Sequence, residues 1–188
     1  AQGEAGSGKT ALVILKNDNS IVWTGLDFHD TASEMLAVLL DAGMHLLIKP
    51  HPRQSPEALR RLLAPLDRAR YTLVDGPLLY WAGRADVVVS LFSGGILDCL
   101  AVGRVAVLYW PMTASYIANV RSGAVTDVYV RSRCGGAPAT KYRAFCFEVT
   151  EPGFRLPAME DAASRLAAFR RHYPGAEDCR AIRALIAC

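Results

Sequence analysis

Short apolar runs that alternate with helical periodicity constrain the fold of this chain more than any other feature. The runs lie at residues 11–15, 46–48, 87–89 and 105–109. Uninterrupted apolar strands separated by helices are typical of parallel sheets whose two faces are both covered. The sequence therefore predicts an α/β fold: a Rossmann-like, mostly parallel sheet with helices on both faces, closed by two C-terminal helices.

The segments between these runs complete the expected order of elements. Helices are predicted at residues 31–42, 55–66, 77–82 and 94–102, and a further strand at 71–74. The segment 113–154 is less regular: it predicts strands at 128–130 and 145–149, with a loop at 134–140 between them. Apolar residues at helical spacing from 159 to 169 and from 179 to 186 predict the two closing helices.

The chain length of 188 residues suits one domain. We expect a flexible leader at residues 1–10 and a single Rossmann-like domain at 11–188. The charged fraction of 21% and the net charge of +3 imply no broad field for nucleic acid, so no nucleic-acid partner is expected. Local basic clusters, such as Arg60-Arg61 and Arg170-Arg171, are typical of solvated faces.

The sequence also predicts where the protein resides. No apolar run approaches the roughly 18 residues of a membrane span, and the first ten residues do not read as a signal peptide. The five cysteines are widely spaced and form no C-x-x-C pair, which predicts reduced thiols and no metal site. We expect a cytoplasmic protein, with peripheral contact at the inner face of the membrane left open.

A glycine-rich segment at the start of the chain matches a well-known phosphate-binding pattern. Residues 3–10 fit G-x-x-x-x-G-K-[ST], the P-loop. A P-loop needs a buried strand before it and a helix after it, whereas residues 11–15 read as a strand. We therefore interpret the segment as part of the flexible leader, with a P-loop kinase as the alternative.

The segment Lys49-Pro-His-Pro-Arg53 follows a predicted strand and combines a restrained histidine with two cations. Prolines on both sides of His51 limit its backbone freedom. Lys49 and Arg53 supply positive charge that could neutralise a diphosphate. This pattern favours a phosphate site over a merely structural histidine.

A second candidate segment, residues 90–98, runs from a strand through serine and glycine into a helix. Glycines at 94 and 95 let a backbone approach a phosphate closely, and Ser90 and Ser93 add hydroxyls. Asp98, about one turn into the helix, could accept hydrogen bonds from ribose hydroxyls. The alternative is an N-capped helix without a ligand. We expect the two segments to lie at neighbouring strand ends and to form one nucleotide site.

The order of these motifs resembles the donor-binding half of GT-B glycosyltransferases, in particular the branch with CDP-glycerol glycerophosphotransferases and capsule-polysaccharide transferases. Residues 77–109 match the branch's aspartate before a strand, serines at its end, and a helix with an acidic residue. Residues 49–53 resemble its "HP" motif, and residues 169–186 its closing helix pair. The resemblance implies that His51 and Ser93 hold the leaving phosphates, with Lys49 or Arg53 adding charge.

The resemblance further implies an inverting, metal-independent transferase that uses a nucleotide-activated sugar or polyol-phosphate donor for cell-surface polysaccharide synthesis. The donor is then a substrate, and no cofactor is expected. A domain of this length implies a second Rossmann-like domain or partner chain that carries the acceptor site. Two alternatives stay open: a GT-B-like UDP-sugar epimerase, and a non-catalytic nucleotide-binding or assembly domain. Gly94, where the family has a second serine, favours the latter mildly.

Overall fold

A computed structural model describes residues 9–19, 26–122, 130–131, 139–140 and 142–173. The strands are β1 Thr10–Ile14, β2 His45–Lys49, β3 Tyr71–Leu73, β4 Val87–Leu91, β5 Val105–Tyr109, β6 Val130–Arg131, β7 Ala139–Thr140 and β8 Phe147–Val149. The helices are α1 Phe28–Asp41, α2 Pro56–Leu63, α3 Leu78–Ala82, α4 Ile96–Ala101, α5 Ala114–Arg121 and α6 Ala162–His172. A 3-10 turn at Arg68–Arg70 leads into β3.

Six of the strands form one parallel sheet in the order β3-β2-β1-β4-β5-β8. β6 and β7 form a separate antiparallel pair. The chain adds strands in one direction from β1 to β3, then returns to place β4 on the other side of β1. This reversal is the topological switch point of a doubly wound fold, and ligands bind such sheets beyond the carboxyl ends of the strands.

The sheet is buried on both faces, as its uninterrupted apolar strands predicted. On one face, Val13, Ile48 and Val89 pack with Met35 of α1 and Leu62 of α2. On the other, the alternate strand positions pack with α3 and α4; the set is Leu12, Leu47, Val88, Ala82 and Cys99. The α/β class, the parallel sheet and the helices on both faces are therefore confirmed.

Local sequence explains where several helices begin. The Asp27 carboxylate accepts a hydrogen bond from the Asp30 backbone N–H, so α1 begins earlier than the predicted residue 31. Ser55 caps α2 in the expected way by accepting from Ala58 N at 3.2 Å. Among the helices of the described ranges, none is long and apolar enough to span a bilayer.

In the irregular parts of the chain, one helix was not predicted, one predicted loop needs correction and one predicted helix lies outside the described residues. Helix α5 was not predicted; Thr113, whose hydroxyl accepts from Tyr116 N, was the missed capping signal. The last two residues of the predicted 134–140 loop form β7. The second closing helix, at 179–186, lies outside the described residues.

The end of the P-loop pattern leads into a strand. Lys9 is exposed and Thr10 is the first residue of β1. A P-loop requires a helix at this point, so the described residues contradict the kinase alternative. The rest of the expected leader, residues 1–8, lies outside the description.

Candidate functional site

The candidate site lies at the carboxyl edge of the sheet, around the switch point. The loop with His51 follows β2, and the loop with Ser93 follows β4. The sequence prediction that these strand ends are neighbours is wrong, because β1 pairs with both strands and lies between them. Strands are spaced about 4.8 Å apart, so the two strand ends are separated by about 10 Å.

Lys16 follows β1, the strand between these two ends, and sequence reasoning missed it. It is half-buried and comes two residues after the end of β1, the central strand of the switch point. Its charge acts on the His51 ring and helps to lower the pKa of that histidine. The missed signal was a lysine directly after the first predicted strand.

The His51 ring is held in a defined orientation by its own loop. Its Nδ1 accepts a hydrogen bond from the Arg53 backbone N–H at 3.1 Å, and its carbonyl accepts from Gln54 N at 2.8 Å. In the neutral ring the proton therefore sits on Nε2. Desolvation lowers the pKa of His51 below 6.5, and the charges of Lys16 and Arg53 lower it further. At neutral pH the ring is an uncharged donor with one N–H to offer.

Two further cations predicted from sequence flank this histidine along the chain. Lys49 is the half-buried last residue of β2, and its carbonyl accepts from Leu15 N at 3.0 Å. Arg53 is exposed. Together with Lys16, they place three cationic side chains around the ends of β1 and β2.

Asp18 joins the loops that follow these two strands. Its Oδ1 accepts hydrogen bonds from Gln54 Nε2 at 2.9 Å and from Ser55 N at 3.1 Å. Gln54 and Ser55 continue the loop that carries His51 and Arg53. The loops with Lys16 and His51 are therefore tied to each other by side-chain contacts as well as by the pairing of β1 with β2.

The loop after β4 is shaped by its own serines. Ser90 is fully buried, and its hydroxyl donates to the Ser93 carbonyl at 3.1 Å. Ser93 Oγ accepts from Gly95 N at 3.3 Å. Ser90 therefore braces the loop, and the Gly95 N–H is used within it. The Ser93 hydroxyl keeps its own proton as a donor, and Gly94 is half-buried beside it.

The backbone at Gly95 is closely packed, whereas the unusual backbone conformation of this loop lies at another residue. A Cβ at Gly95 would lie 3.0 Å from Leu78 Cδ2. The residue with a left-handed backbone is Phe92, with φ of 51°. Its ring is buried and packs on Trp110, with the ring centroids 5.0 Å apart. Aromatic packing therefore holds a strained residue directly before Ser93.

Asp98 lies on the first turn of α4 and is exposed. Partial desolvation raises the pKa of its carboxyl group. Burial raises the pKa of the adjacent Cys99 to about 12, and the charge of Asp98 adds to the shift. Cys99 is thus a protonated core thiol, while Asp98 offers a carboxylate at the surface.

A group of three side chains that could bind a cation lies at the start of α1, and sequence reasoning did not find it. One ligand atom each from Asp27, His29 and Asp30 lies within 4.8 Å of the others. Asp27 and His29 also line a cavity of about 370 Å³. Asp27 already caps the helix and His29 Nε2 lies 3.4 Å from the Arg61 carbonyl, which explains the arrangement without an ion.

The strand order and the site at the switch point define the class of this domain as Rossmann-like α/β. No family model matches the chain. It is similar in structure to KpsC, beta Kdo 2,4 transferase, from Thermosulfurimonas dismutans, with 15% identity and a TM-score of 0.45. The match covers 88% of this chain and 45% of that one, so this chain spans about half its length.

Proposed function

We propose that this domain binds the phosphate groups of a nucleotide-activated sugar or polyol-phosphate donor, as the donor half of a glycosyltransferase-like enzyme. The observation that carries the proposal is the group of Lys16, His51 and Arg53 at the ends of β1 and β2. These residues combine two permanent positive charges with an oriented neutral N–H donor. The site lies next to the switch point, where doubly wound sheets bind nucleotides.

The chemistry required of such a site is stabilisation of a departing phosphate. Negative charge grows on the leaving phosphate as the bond to the transferred group breaks. Fixed donors and cations aimed at that charge lower the barrier because they need no reorganisation during the reaction. In this proposal His51 Nε2–H donates to a phosphate oxygen, and Lys16, Lys49 and Arg53 supply charge.

The loop after β4 would bind the other side of the donor. The Ser93 hydroxyl and the Gly94 backbone would donate to a second phosphate oxygen, and Asp98 would accept from the ribose. Ser90 and Gly95 support this loop from within. A span of about 10 Å between the ends of β2 and β4 suits an extended nucleotide that lies across the end of β1.

The transferred group also needs an acceptor molecule. An acceptor must approach from beyond the carboxyl edge of the sheet, opposite the donor phosphates. We propose that a second Rossmann-like domain or a partner chain supplies it, at the inner face of the membrane where cell-surface polysaccharides are made. The motif order that resembles GT-B transferases supports this arrangement.

The test is a calorimetric titration with CDP, UDP, CMP and GDP. We expect at least one nucleotide to bind, and Lys16→Ala, His51→Ala and Ser93→Ala each to weaken binding about 10-fold or more, as expected for lost hydrogen bonds to charged groups. The matched control is Arg171→Ala, which removes an exposed cation at the end of α6. If no nucleotide binds, or if the three site variants bind as well as this control, the proposal is wrong.

A further inference from the structure

Asp18 lies in the loop after β1 and contacts the loop after β2, which carries His51. It is half-buried and lies two residues after Lys16. Its carboxylate oxygen Oδ1 receives two hydrogen bonds from the loop after β2, one from a side chain and one from the backbone. Hydrogen bonds to an ionised acceptor are stronger than neutral ones, so these two bonds hold the loops firmly.

The Gln54 side chain supports the same interpretation. Its Nε2 donates to Asp18, while its Oε1 is buried with no hydrogen-bond partner among the described residues. A buried amide oxygen without a partner is costly. The bond to Asp18 is therefore what orients this side chain, because the flipped amide would place its oxygen against the carboxylate.

We propose that Asp18 is a positioning residue, which joins the loop after β1 to the loop after β2 and so holds Lys16 beside His51 for a phosphate ligand. The inference rests on the proposed phosphate site and adds a residue to it. A carboxylate at an anion site is unfavourable by charge alone. Its presence here is explained by the two hydrogen bonds that it accepts from the loop after β2.

The charge of Asp18 and its positioning role predict opposite effects on phosphate affinity and on the pKa of His51, so experiments can distinguish the two. Removing the negative charge of Asp18 alone would strengthen phosphate binding and lower the pKa of His51 further. Releasing the loops would let Lys16 move away from His51, which would weaken phosphate binding and raise the pKa of His51 toward 6.5. Asp18→Ala and Asp18→Asn lose the same charge, but Asn keeps an Oδ1 acceptor for Gln54 and Ser55.

The first measurement needs no ligand. The imidazole protons of His51, assigned by their loss in His51→Gln, are titrated by NMR in the parent and in both Asp18 variants. Within the described part of the chain, the charged groups that act on this ring are Lys16 from the β1 loop and Arg53 from its own loop. We expect the pKa of His51 to be higher in Asp18→Ala than in Asp18→Asn.

The second measurement is calorimetric titration with inorganic pyrophosphate. We expect Asp18→Ala to bind about tenfold more weakly than Asp18→Asn, the factor that corresponds to loss of one hydrogen bond between Lys16 and the charged phosphate. Gln54→Ala keeps the Asp18 charge and removes one of the two hydrogen bonds. Its pyrophosphate affinity and its His51 pKa should lie between those of the parent and those of Asp18→Ala. If Asp18→Ala does not fold, the comparison of Gln54→Ala with the parent tests the positioning role of Asp18.

The two measurements separate failure of this inference from failure of the proposed function. Equal His51 pKa values and equal pyrophosphate affinities in Asp18→Ala and Asp18→Asn would overturn the positioning role, as would a Gln54→Ala variant identical to the parent. If no variant and no parent protein binds pyrophosphate or a nucleotide, the proposed function fails. The NMR comparison then still shows whether Asp18 holds the two loops together.

Discussion

The contact between Gly95 and Leu78 gives a sharp test of how the β4 loop is packed. A Cβ at position 95 would lie 3.0 Å from Leu78 Cδ2, whereas carbon atoms in ordinary contact are about 3.5–4.0 Å apart. The Leu78 side chain must therefore move by a few tenths of an ångström, and overpacking of this kind costs about 1–3 kcal/mol. Gly95 has φ of −59°, so Gly95→Ala also gains about 0.4–1 kcal/mol from the unfolded chain.

The net expectation is that Gly95→Ala lowers the free energy of unfolding by about 1 kcal/mol, since overpacking exceeds the entropy gain. Leu78→Ala alone removes buried methyl groups and costs roughly 2 kcal/mol, at the low end for leucine because Leu78 is only half-buried. In the double variant the clash is absent. Its destabilisation should then fall short of the sum of the single variants by about 1–2 kcal/mol, a coupling typical of residues in contact.

The assay is urea unfolding of the parent and the three variants, followed by circular dichroism. Pyrophosphate affinity is measured beside it, and we expect Gly95→Ala to weaken it and the double variant to recover part of the loss. Additive free energies of unfolding, within about 0.5 kcal/mol, would refute this description of the loop, as would a Gly95→Ala variant more stable than the parent.

Three further predictions concern other parts of the molecule. The pyrophosphate affinity of the parent, divided by that of His51→Gln, should rise as the pH falls below 6.5. The reason is that bound phosphate favours the protonated His51 ring, whose pKa is lowered in the free protein. An affinity ratio that is independent of pH between 5 and 8 contradicts this prediction. Arg165→Ala should lower the free energy of unfolding in urea by about 2 kcal/mol, because Arg165 Nη1 donates to the carbonyls of Arg143 and Cys146 at 2.8 and 2.7 Å; an unchanged midpoint contradicts it. Lys9→Ala should leave the nucleotide affinity measured by calorimetry unchanged. Loss of nucleotide binding in this variant would instead favour a P-loop.

Much of the fold could be predicted because its signals are local. Apolar runs identified β1, β2, β4 and β5, a further strand was predicted where β3 lies, and Ser55 with Pro56 marked the start of α2. Helix α5 could not be predicted from apolar spacing because its apolar residues form only a weak stripe; the capping role of Thr113 was the better signal. The pairing of β6 with β7 depends on contacts between short segments that carry little periodicity.

The candidate site was predicted less completely, because strand order is not a local property. The sequence identified the residues after β2 and β4 but placed them at neighbouring strand ends. Only the position of β1 between these strands brings Lys16 into the site. The contacts of Asp18 with Gln54 and Ser55 join residues far apart in the sequence, and no motif indicates them.

The position of β1 in the sheet also has a consequence for folding kinetics. β1, β2 and β3 are successive strands, so their pairings close short segments of chain. The contact of β1 with the segment that leads into β4 joins Thr10 N to Asp86 Oδ2, 76 residues apart, and closing so long a segment slows its formation. The His51 loop thus belongs to a local half-sheet and the Ser93 loop to the half that joins across the long connection. A perturbation that loosens β4 from β1 would separate the two sides of the site while leaving the first half-sheet paired.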